Sequence, residues 1–122
     1  MDSEDAVLEF AGASFRSVWA LELLIALRRA RDRTWTAAEI IKELRGSRVV
    51  VTEALENLLA AALVIEDESG GFRYRVASSA VEETIDALEK LYALKPTLVV
   101  RKIVTSPNAK LQILSDAFRI KK

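Results

Sequence analysis

Apolar side chains recur at three- and four-residue steps along residues 14–31, which places them on one face of an α-helix. They are Phe15, Val18, Trp19, Leu21, Leu24, Ile25 and Leu27. The segment closes on three arginines, and cations suit the carboxyl end of a helix. The pattern predicts a first helix from about Ser14 to Arg31. Residues 1–13 are acidic and then small, so we expect a flexible lead-in with helix at most at its end.

Two local signals mark the start of a second helix. Thr36 and Glu39 have the spacing of a capping box, in which the hydroxyl accepts from the third helical amide and the carboxylate accepts from the cap amide. Trp35 and Ile40 have the spacing of a hydrophobic staple across the same cap. A short helix is therefore predicted to begin after Thr36 and to run to about Leu44.

A longer third helix is predicted after a turn. Gly46 breaks the second helix, and Ser47 can cap the third. Apolar side chains share one face of this third helix, namely Val51, Leu55, Leu58 and Ala62. A short helix, a glycine-containing turn and a longer helix, in that order, are typical of a helix-turn-helix motif.

The hydrophobic period changes from helical to alternating after residue 64. Aromatic and apolar residues alternate with arginines along 72–76, as on a half-buried strand. This segment and a first strand at 65–68 flank Ser69-Gly70-Gly71, whose glycines allow positive φ. The pattern predicts a β-hairpin.

The rest of the chain is predicted to be helical. A second capping box, Ser79 with Glu82, opens a helix to about Leu94, and Lys95-Pro96 interrupts it because the residue before a proline avoids the helical region. Residues 98–104 are apolar and β-branched, which suits helix or strand, and we favour helix. A last helix starts at Ser106-Pro107, with Leu111, Ile113 or Leu114, Phe118 and Ile120 as its apolar residues.

From Thr36 to Val64 the chain resembles the bacterial winged helix-turn-helix superfamily that includes the MarR, ArsR and IclR types of transcription regulator. The matching residues are Thr36, Glu39, Ile40, Leu44, Ser47, Val51, Leu55, Leu58, Leu63 and Val64, and the glycine hairpin follows where the wing belongs. The resemblance covers about residues 15–76. It implies a mainly α fold with a small β-hairpin: a winged helix-turn-helix domain at 14–78, after the lead-in at 1–13, and a C-terminal helical extension at 79–122. The same fold also serves as a protein-binding module.

The composition removes most catalytic chemistry. The chain contains no His and no Cys, so the usual zinc ligands, thiol nucleophiles and histidine bases are missing. The paired glycines are not followed by the Lys-Ser or Lys-Thr of a phosphate loop. Adjacent carboxylates such as Glu82-Glu83 and Asp67-Glu68 lie on polar stretches and are typical of a solvated surface. We expect no enzyme activity, no catalytic or metal site and no cofactor.

No segment has the pattern of a membrane span or an export signal. The longest uninterrupted apolar run, Leu58 to Ile65, is far shorter than the ~20 residues that cross a bilayer. The amino terminus carries Asp2, Glu4 and Asp5 in place of a positive and then apolar layout. We expect a cytoplasmic protein with no membrane partner.

The resemblance implies that the helix capped by Ser47 lies in the major groove of double-stranded DNA. Its outward positions are Arg48, Val49, Thr52, Glu53 and Glu56. Arg48 can contact a guanine or a phosphate, Thr52 a base or a phosphate, and Val49 a thymine methyl. A glutamate can accept from cytosine but is repelled by phosphate. The alternative interpretation is a solvated helix face.

Two further groups of arginines are candidate contacts. Arg73 and Arg75 project from one face of the second strand and can reach phosphate or a minor groove. Their alternative role is cross-strand pairing with Glu66 or Glu68. The second group, Arg28, Arg29, Arg31 and Arg33, is either a phosphate-binding cluster or a solvated helix end.

The distribution of charge weakens the case for DNA. The net charge is −1 over residues 36–64 and −1 over 65–75, whereas it is +3 over 14–33 and +3 over 76–122. A dedicated DNA-binding protein carries its basic stripe on the reading face. Here the positive surplus lies elsewhere in the chain.

Three functional hypotheses follow. The first is a DNA-binding transcriptional regulator that forms a homodimer through its C-terminal helices, unless their apolar residues only cover the core. The candidate dimer residues are Val81, Ile85, Leu88, Tyr92, Leu98, Val99 and Ile103. The second is an adaptor that binds a protein partner through Val49, Val50, Glu53 and Glu56. The third is an effector-sensing regulator with a small molecule among the C-terminal helices, for which no residue set points to a ligand.

Overall fold

The computed structural model describes residues 3–111, which are mainly helical with one two-stranded antiparallel sheet. The elements are α1 Glu4–Ser14, α2 Val18–Arg29, α3 Ala37–Leu44, α4 Arg48–Ala60, β1 Val64–Glu66, β2 Phe72–Tyr74, α5 Ser79–Leu94 and α6 Pro96–Val104, with further helix at 107–111. The predicted class, mainly α with a small β-hairpin, is confirmed. No single helix in the described range is long and apolar enough to cross a membrane.

The chain divides into two compact units. The central unit is Trp19–Val81, and the terminal unit combines Met1–Val18 with Glu82–Lys122. The central unit therefore holds nearly all of α2, together with α3, α4 and the hairpin. The terminal unit holds α1, most of α5 and α6.

Local capping signals set the bounds of α3 and α4, as predicted. The Glu39 amide donates to Thr36 Oγ1 at 3.1 Å, and the Thr36 amide donates to Glu39 Oε1 at 2.9 Å. Arg45, with φ 55°, ends α3 in the left-handed conformation, one residue before the Gly46 that was predicted to break the helix. Ser47 caps α4, because its Oγ accepts from the Val50 amide at 3.1 Å.

The hairpin pairs Val64 with Tyr74 and Glu66 with Phe72. Gly70 supplies the positive φ, 84°, that the turn requires. Trp35 extends the pairing beyond the two strands: its amide donates to the Phe72 carbonyl at 2.8 Å, and the Phe72 amide donates back at 2.7 Å. The sequence pattern did not indicate this link, which ties the hairpin to the segment before α3.

The apolar face of each central helix is buried, which explains the spacing seen in the sequence. The buried side chains of the unit include Leu21, Leu24, Leu27, Trp35, Ile40, Val51, Leu55, Leu58, Val64 and Tyr74. At roughly 25 cal/mol per Å² of apolar surface, burial of such side chains is the main stabilising contribution.

The predicted flexible lead-in at 1–13 is wrong, because residues 4–14 form α1. Ser3 caps this helix by accepting from the Ala6 amide at 3.1 Å, and two carboxylates in the first turn suit its positive end. Val7 and Ala11, four residues apart, are buried, and α1 packs against α6 within the terminal unit. Lys95 and Lys102 pair with the α1 carboxylates Glu4 and Glu9 at 3.2 and 2.9 Å.

Other boundaries differ from the predictions by a few residues. The predicted first helix does not begin at Ser14, since Phe15 ends α1 in an extended conformation and α2 begins at Val18. Ser78, one residue before the predicted cap, caps α5 by accepting from the Val81 amide at 3.2 Å.

The chain breaks at Lys95-Pro96, as predicted, and helix resumes at Pro96. Residues 96–104 are helical, which confirms the choice of helix over strand for this β-branched stretch. Ser106 caps the following helical segment by accepting from the Ala109 amide at 3.1 Å. The apolar residues predicted for its later turns, Ile113, Leu114, Phe118 and Ile120, lie outside the described residues.

Candidate nucleic-acid interface

The outward face of α4 carries the residues that the sequence predicted for it. Arg48, Thr52 and Glu56 are exposed, Val49 is 64% exposed, and Glu53 is half-buried. The opposite face is buried, through Val51, Ala54, Leu55 and Leu58. The first two turns of α4 therefore present one guanidinium, one methyl-bearing side chain and one hydroxyl together.

Ser47 lies at the start of this face, but its hydroxyl oxygen is engaged in capping. It accepts from the Val50 amide, so the hydroxyl proton is the group it retains for a ligand. Substitution of Ser47 would therefore perturb the helix terminus as well as any contact it makes.

Arg73 lies in β2 and is half-buried, and Arg75, one residue beyond the strand, is exposed. The register places Ile65 opposite Arg73, and the Arg75 amide donates to the Leu63 carbonyl at 3.2 Å. Glu66 pairs with Phe72 instead, so the alternative of direct cross-strand pairing with Glu66 or Glu68 is wrong. Neither arginine forms an ion pair with another residue in the range 3–111.

One of the four arginines in the predicted cluster is buried, and the other three are exposed. Arg28 is 9% exposed, so it is a buried part of α2 and not a candidate phosphate contact. Its position explains the difference, because residue 28 follows Leu21 and Leu24 along the buried face of the helix. Arg29, the next residue, is exposed.

The other two arginines of the cluster pack on aromatic rings. The Arg31 guanidinium lies 5.3 Å from the centre of the Tyr74 ring, and its Nε donates to the Arg28 carbonyl. The Arg33 guanidinium lies 3.7 Å from the centre of the Trp35 ring and donates to Glu39 at 2.6 Å. Both guanidiniums thus connect elements of the central unit.

Two carboxylates near the interface are held in their charged form. The pKa of Glu39 lies below its ordinary value, chiefly because the Thr36 amide and side chain hydrogen-bond to it, with a further contribution from Arg33. The pKa of Asp67 is lowered chiefly by the Ser69 hydroxyl, which donates at 2.6 Å. Both groups are engaged in structural hydrogen bonds and stay negative at neutral pH.

The predictions missed two residues beside the α3–α4 turn. Arg45 is exposed and occupies the left-handed position that ends α3. Trp19 was assigned to the buried stripe of the first helix, yet it is 41% exposed and its ring lies against Gly46. The basic residues around Gly46 in the sequence pointed to Arg45. Nothing in the hydrophobic periodicity distinguished Trp19 from its buried neighbours.

The predicted dimer surface is largely internal. Ile85, Leu88, Val99 and Ile103 are at most 1% exposed within a single chain, so they cannot meet a second copy. The periodic apolar pattern is that of a core face, and the alternative left open by the sequence is correct for these four. Val81, Tyr92 and Leu98 are half-buried.

A cleft of about 370 Å³ lies in the terminal unit beside α1 and α6. Its polar groups already have partners: Lys102 pairs with Glu9, Asn108 donates to the Ala13 carbonyl at 2.6 Å, and Ser106 donates to the Ile103 carbonyl. The cleft therefore offers little polar recognition to a small-molecule effector.

Comparison of the chain with protein-family models, with curated proteins and with solved structures finds no match.

Proposed function

We propose that the protein is a DNA-binding transcriptional regulator of the winged helix-turn-helix type, acting in the cytoplasm, with α4 entering the major groove. The observation that carries the proposal is the exposed face at the start of α4, where Arg48, Val49 and Thr52 lie together on a capped helix. In this class of protein the first turns of the recognition helix contact base edges.

The order and packing of the central unit support the same proposal. α3 and α4 pack against each other across a turn of a few residues, and α4 packs against β1. The hairpin follows directly and is tied to the segment before α3 through Trp35 and Phe72. We interpret the hairpin as the wing.

The Arg48, Val49 and Thr52 side chains on the reading face each have a chemical counterpart in the groove. The Arg48 guanidinium can donate two hydrogen bonds to a guanine or bind a phosphate, and the Val49 methyls suit a thymine methyl. Arg73 and Arg75 on the hairpin are placed to bind phosphates, which orient a protein on the duplex without reading sequence.

The expected salt dependence is shallow for a DNA-binding protein. The central unit carries as many acidic as basic side chains, and only Arg45, Arg48, Arg73 and Arg75 lie at the turn, α4 and hairpin as available cations. If these neutralise about four phosphates, log K falls with log salt at a slope of about −3.6. Affinity then drops about a hundredfold between 50 and 200 mM salt.

Fluorescence anisotropy of a labelled duplex, measured over a salt series, tests the proposal. Arg48→Ala and Arg75→Ala should each weaken binding and reduce the slope by about 1, whereas Arg101→Ala should do neither. Arg101 is the matched control because it is exposed on α6, in the terminal unit. Absence of measurable binding at 50 mM salt would overturn the proposal.

Self-association belongs to the same proposal, since regulators of this type read two half-sites one helical turn apart. The surface available to a second copy is what remains exposed on the C-terminal helices, including Leu94, Val104 and Leu111. Sedimentation equilibrium distinguishes one copy of 13.5 kDa from two. A single-copy mass at tens of micromolar protein, with and without duplex, would contradict it.

The second candidate is an adaptor that binds a protein through the same face of α4. It is favoured by Val49, a largely exposed apolar side chain that shares the face with the exposed carboxylate of Glu56. The double variant Glu53→Arg with Glu56→Arg separates the two functions. Tighter duplex binding supports the regulator, while loss of a protein captured by the wild type supports the adaptor.

A further inference from the structure

The turn between α3 and α4 brings two cations close together in the chain. The turn is Arg45-Gly46-Ser47, and with Arg48, the first residue of α4, it places an exposed guanidinium on either side of the glycine and the cap. Neither arginine forms an ion pair with another of the residues that the structure describes. Both side chains are therefore available to an external anion.

An indole ring lies against this turn. A Cβ atom built on Gly46 would lie 3.4 Å from Cζ3 and 3.6 Å from Cη2 of Trp19, so the six-membered ring packs on the glycine backbone. A Cβ atom at this position would meet the ring at van der Waals distance and would be tight only against Cγ2 of Val51, at 3.3 Å. Although Trp19 packs here, it keeps 41% of its surface exposed, whereas Trp35, the other tryptophan, keeps 8%.

An exposed aromatic ring packed against a turn that two arginines flank in the chain suits contact with a nucleic-acid backbone. Cations neutralise phosphate, and the flat ring packs on the apolar face of a sugar or base. The nearby acids limit the extent of such a contact, since Glu43 precedes the turn and Glu22 lies one helical turn after Trp19. These charges suit one or two phosphates and not a long basic track.

We infer that Trp19 and Arg45 form a backbone-binding platform next to the reading face of α4, in which the ring packs against a sugar of bound duplex while the Arg45 guanidinium holds the adjacent phosphate. This inference rests on the proposed function and adds to it a contact outside the reading face of α4. The platform positions α4 in the groove and reads no sequence.

The fluorescence of Trp19 provides the test. The chain contains two tryptophans, so Trp35→Phe leaves Trp19 as the single emitter. We measure acrylamide quenching of this variant with and without a saturating duplex of about two helical turns, while anisotropy of a label on the duplex reports binding independently. Covering the exposed ring should lower the quenching constant by about half.

Affinity measurements on further variants extend the test. Trp19→Ala should weaken binding about tenfold, by a similar factor on duplexes of unrelated sequence, and Trp19→Phe should recover most of the loss because a flat ring remains. Arg45→Ala should reduce the salt slope by about 1. Far-ultraviolet circular dichroism of every variant checks that the helices are retained.

The outcomes separate this inference from the proposed function. An anisotropy rise with unchanged quenching overturns the platform and leaves duplex binding in place. A flat anisotropy trace at 50 mM salt overturns both. A Trp19→Ala effect confined to one duplex sequence would show base reading and would also overturn the platform.

Discussion

Gly71 offers a sharp test of how the hairpin is held in place. It is buried at the end of the turn, its amide donates to Asp67 Oδ1 at 3.1 Å, and its carbonyl accepts from the Asp67 amide at 2.8 Å. A Cβ atom at this position would lie 2.3 Å from Cγ2 of Thr34 and 3.3 Å from the Trp35 carbonyl oxygen. We predict that Gly71→Ala is strongly destabilising.

The magnitude follows from these contacts. Carbon atoms pack best at about 3.5–4.0 Å, so Thr34 or the hairpin must move by more than about 1 Å. Overpacking of this kind costs about 1–3 kcal/mol. The Trp35 carbonyl accepts from the Phe72 amide, and weakening that hydrogen bond adds about 1 kcal/mol. The expected loss in free energy of unfolding is about 3 kcal/mol.

Urea unfolding followed by tryptophan fluorescence is the appropriate assay, because both tryptophans belong to the central unit. With a slope near 1.5 kcal/mol per M, the unfolding midpoint should fall by about 2 M. Gly70→Ala is the matched control. Its Cβ would have open space, with Glu66 Oε2 at 4.0 Å, so only the positive φ of 84° costs about 1 kcal/mol.

A double-mutant cycle isolates the clash. Thr34→Ser removes Cγ2 but keeps the hydroxyl that hydrogen-bonds to Asp67. In that background Gly71→Ala should cost about 1–2 kcal/mol less than in the wild type. Equal costs in the two backgrounds, or a Gly71→Ala cost below that of Gly70→Ala, would refute this account of the hairpin.

Three further predictions concern the cap, the charges and the core. Thr36→Ala should cost about 1 kcal/mol in urea unfolding because the Glu39 amide loses the hydroxyl oxygen to which it donates, and a neutral result would contradict the cap. Glu39 and Asp67 have lowered pKa values in the folded state, so they stabilise the fold above the ordinary pKa values of 4.5 and 3.8. This stabilisation is lost as pH falls through the lower pKa values of the folded state. Glu39→Gln should therefore flatten the dependence of the unfolding midpoint on acid pH. Ile85→Ala should lower the free energy of unfolding by about 3 kcal/mol, observed as a lower thermal midpoint. The sedimentation mass should not change, because Ile85 is buried within a single chain.

Features set by neighbours in the chain could be predicted from the sequence. The bounds of α3 and α4, the break at Lys95-Pro96 and the position of the hairpin agree with the structure to within about two residues. Each depends on side chains that act within three or four residues of themselves: the Thr36 and Ser47 hydroxyls, the proline ring and the glycine turn. Such interactions form wherever the local backbone is in place.

Features that depend on a distant partner could not be predicted. The acidic residues before Ser14 were interpreted as a solvated segment, whereas they begin α1, which Ser3 caps and which packs against the distant α6. The arginines at the end of α2 are indistinguishable in sequence, yet one is buried and two lie on rings supplied by Tyr74 and Trp35.

Part of the candidate site could be predicted from neighbours in the chain, and part depends on contacts between distant residues. The outward residues of α4 follow from helical period, so Arg48, Val49 and Thr52 were predicted correctly as exposed. Trp19 belongs to the platform only because α2 runs past Gly46, a contact between residues 27 positions apart. The apolar periodicity of α5 and α6 is the same for a dimer surface and for a core face. The structure shows that Ile85, Leu88, Val99 and Ile103 belong to the core.

By itself the sequence determined the bounds of α3 and α4, the hairpin turn and the break at Lys95-Pro96, because capping, glycine conformation and the proline ring act over a few residues. The tertiary structure alone decided which apolar faces meet, which arginines have internal partners and which aromatic ring stays at the surface. The physical reason is that burial and charge pairing depend on surfaces contributed by distant segments. An apolar or charged side chain can pack or pair with any complementary surface, so its type does not identify its partner.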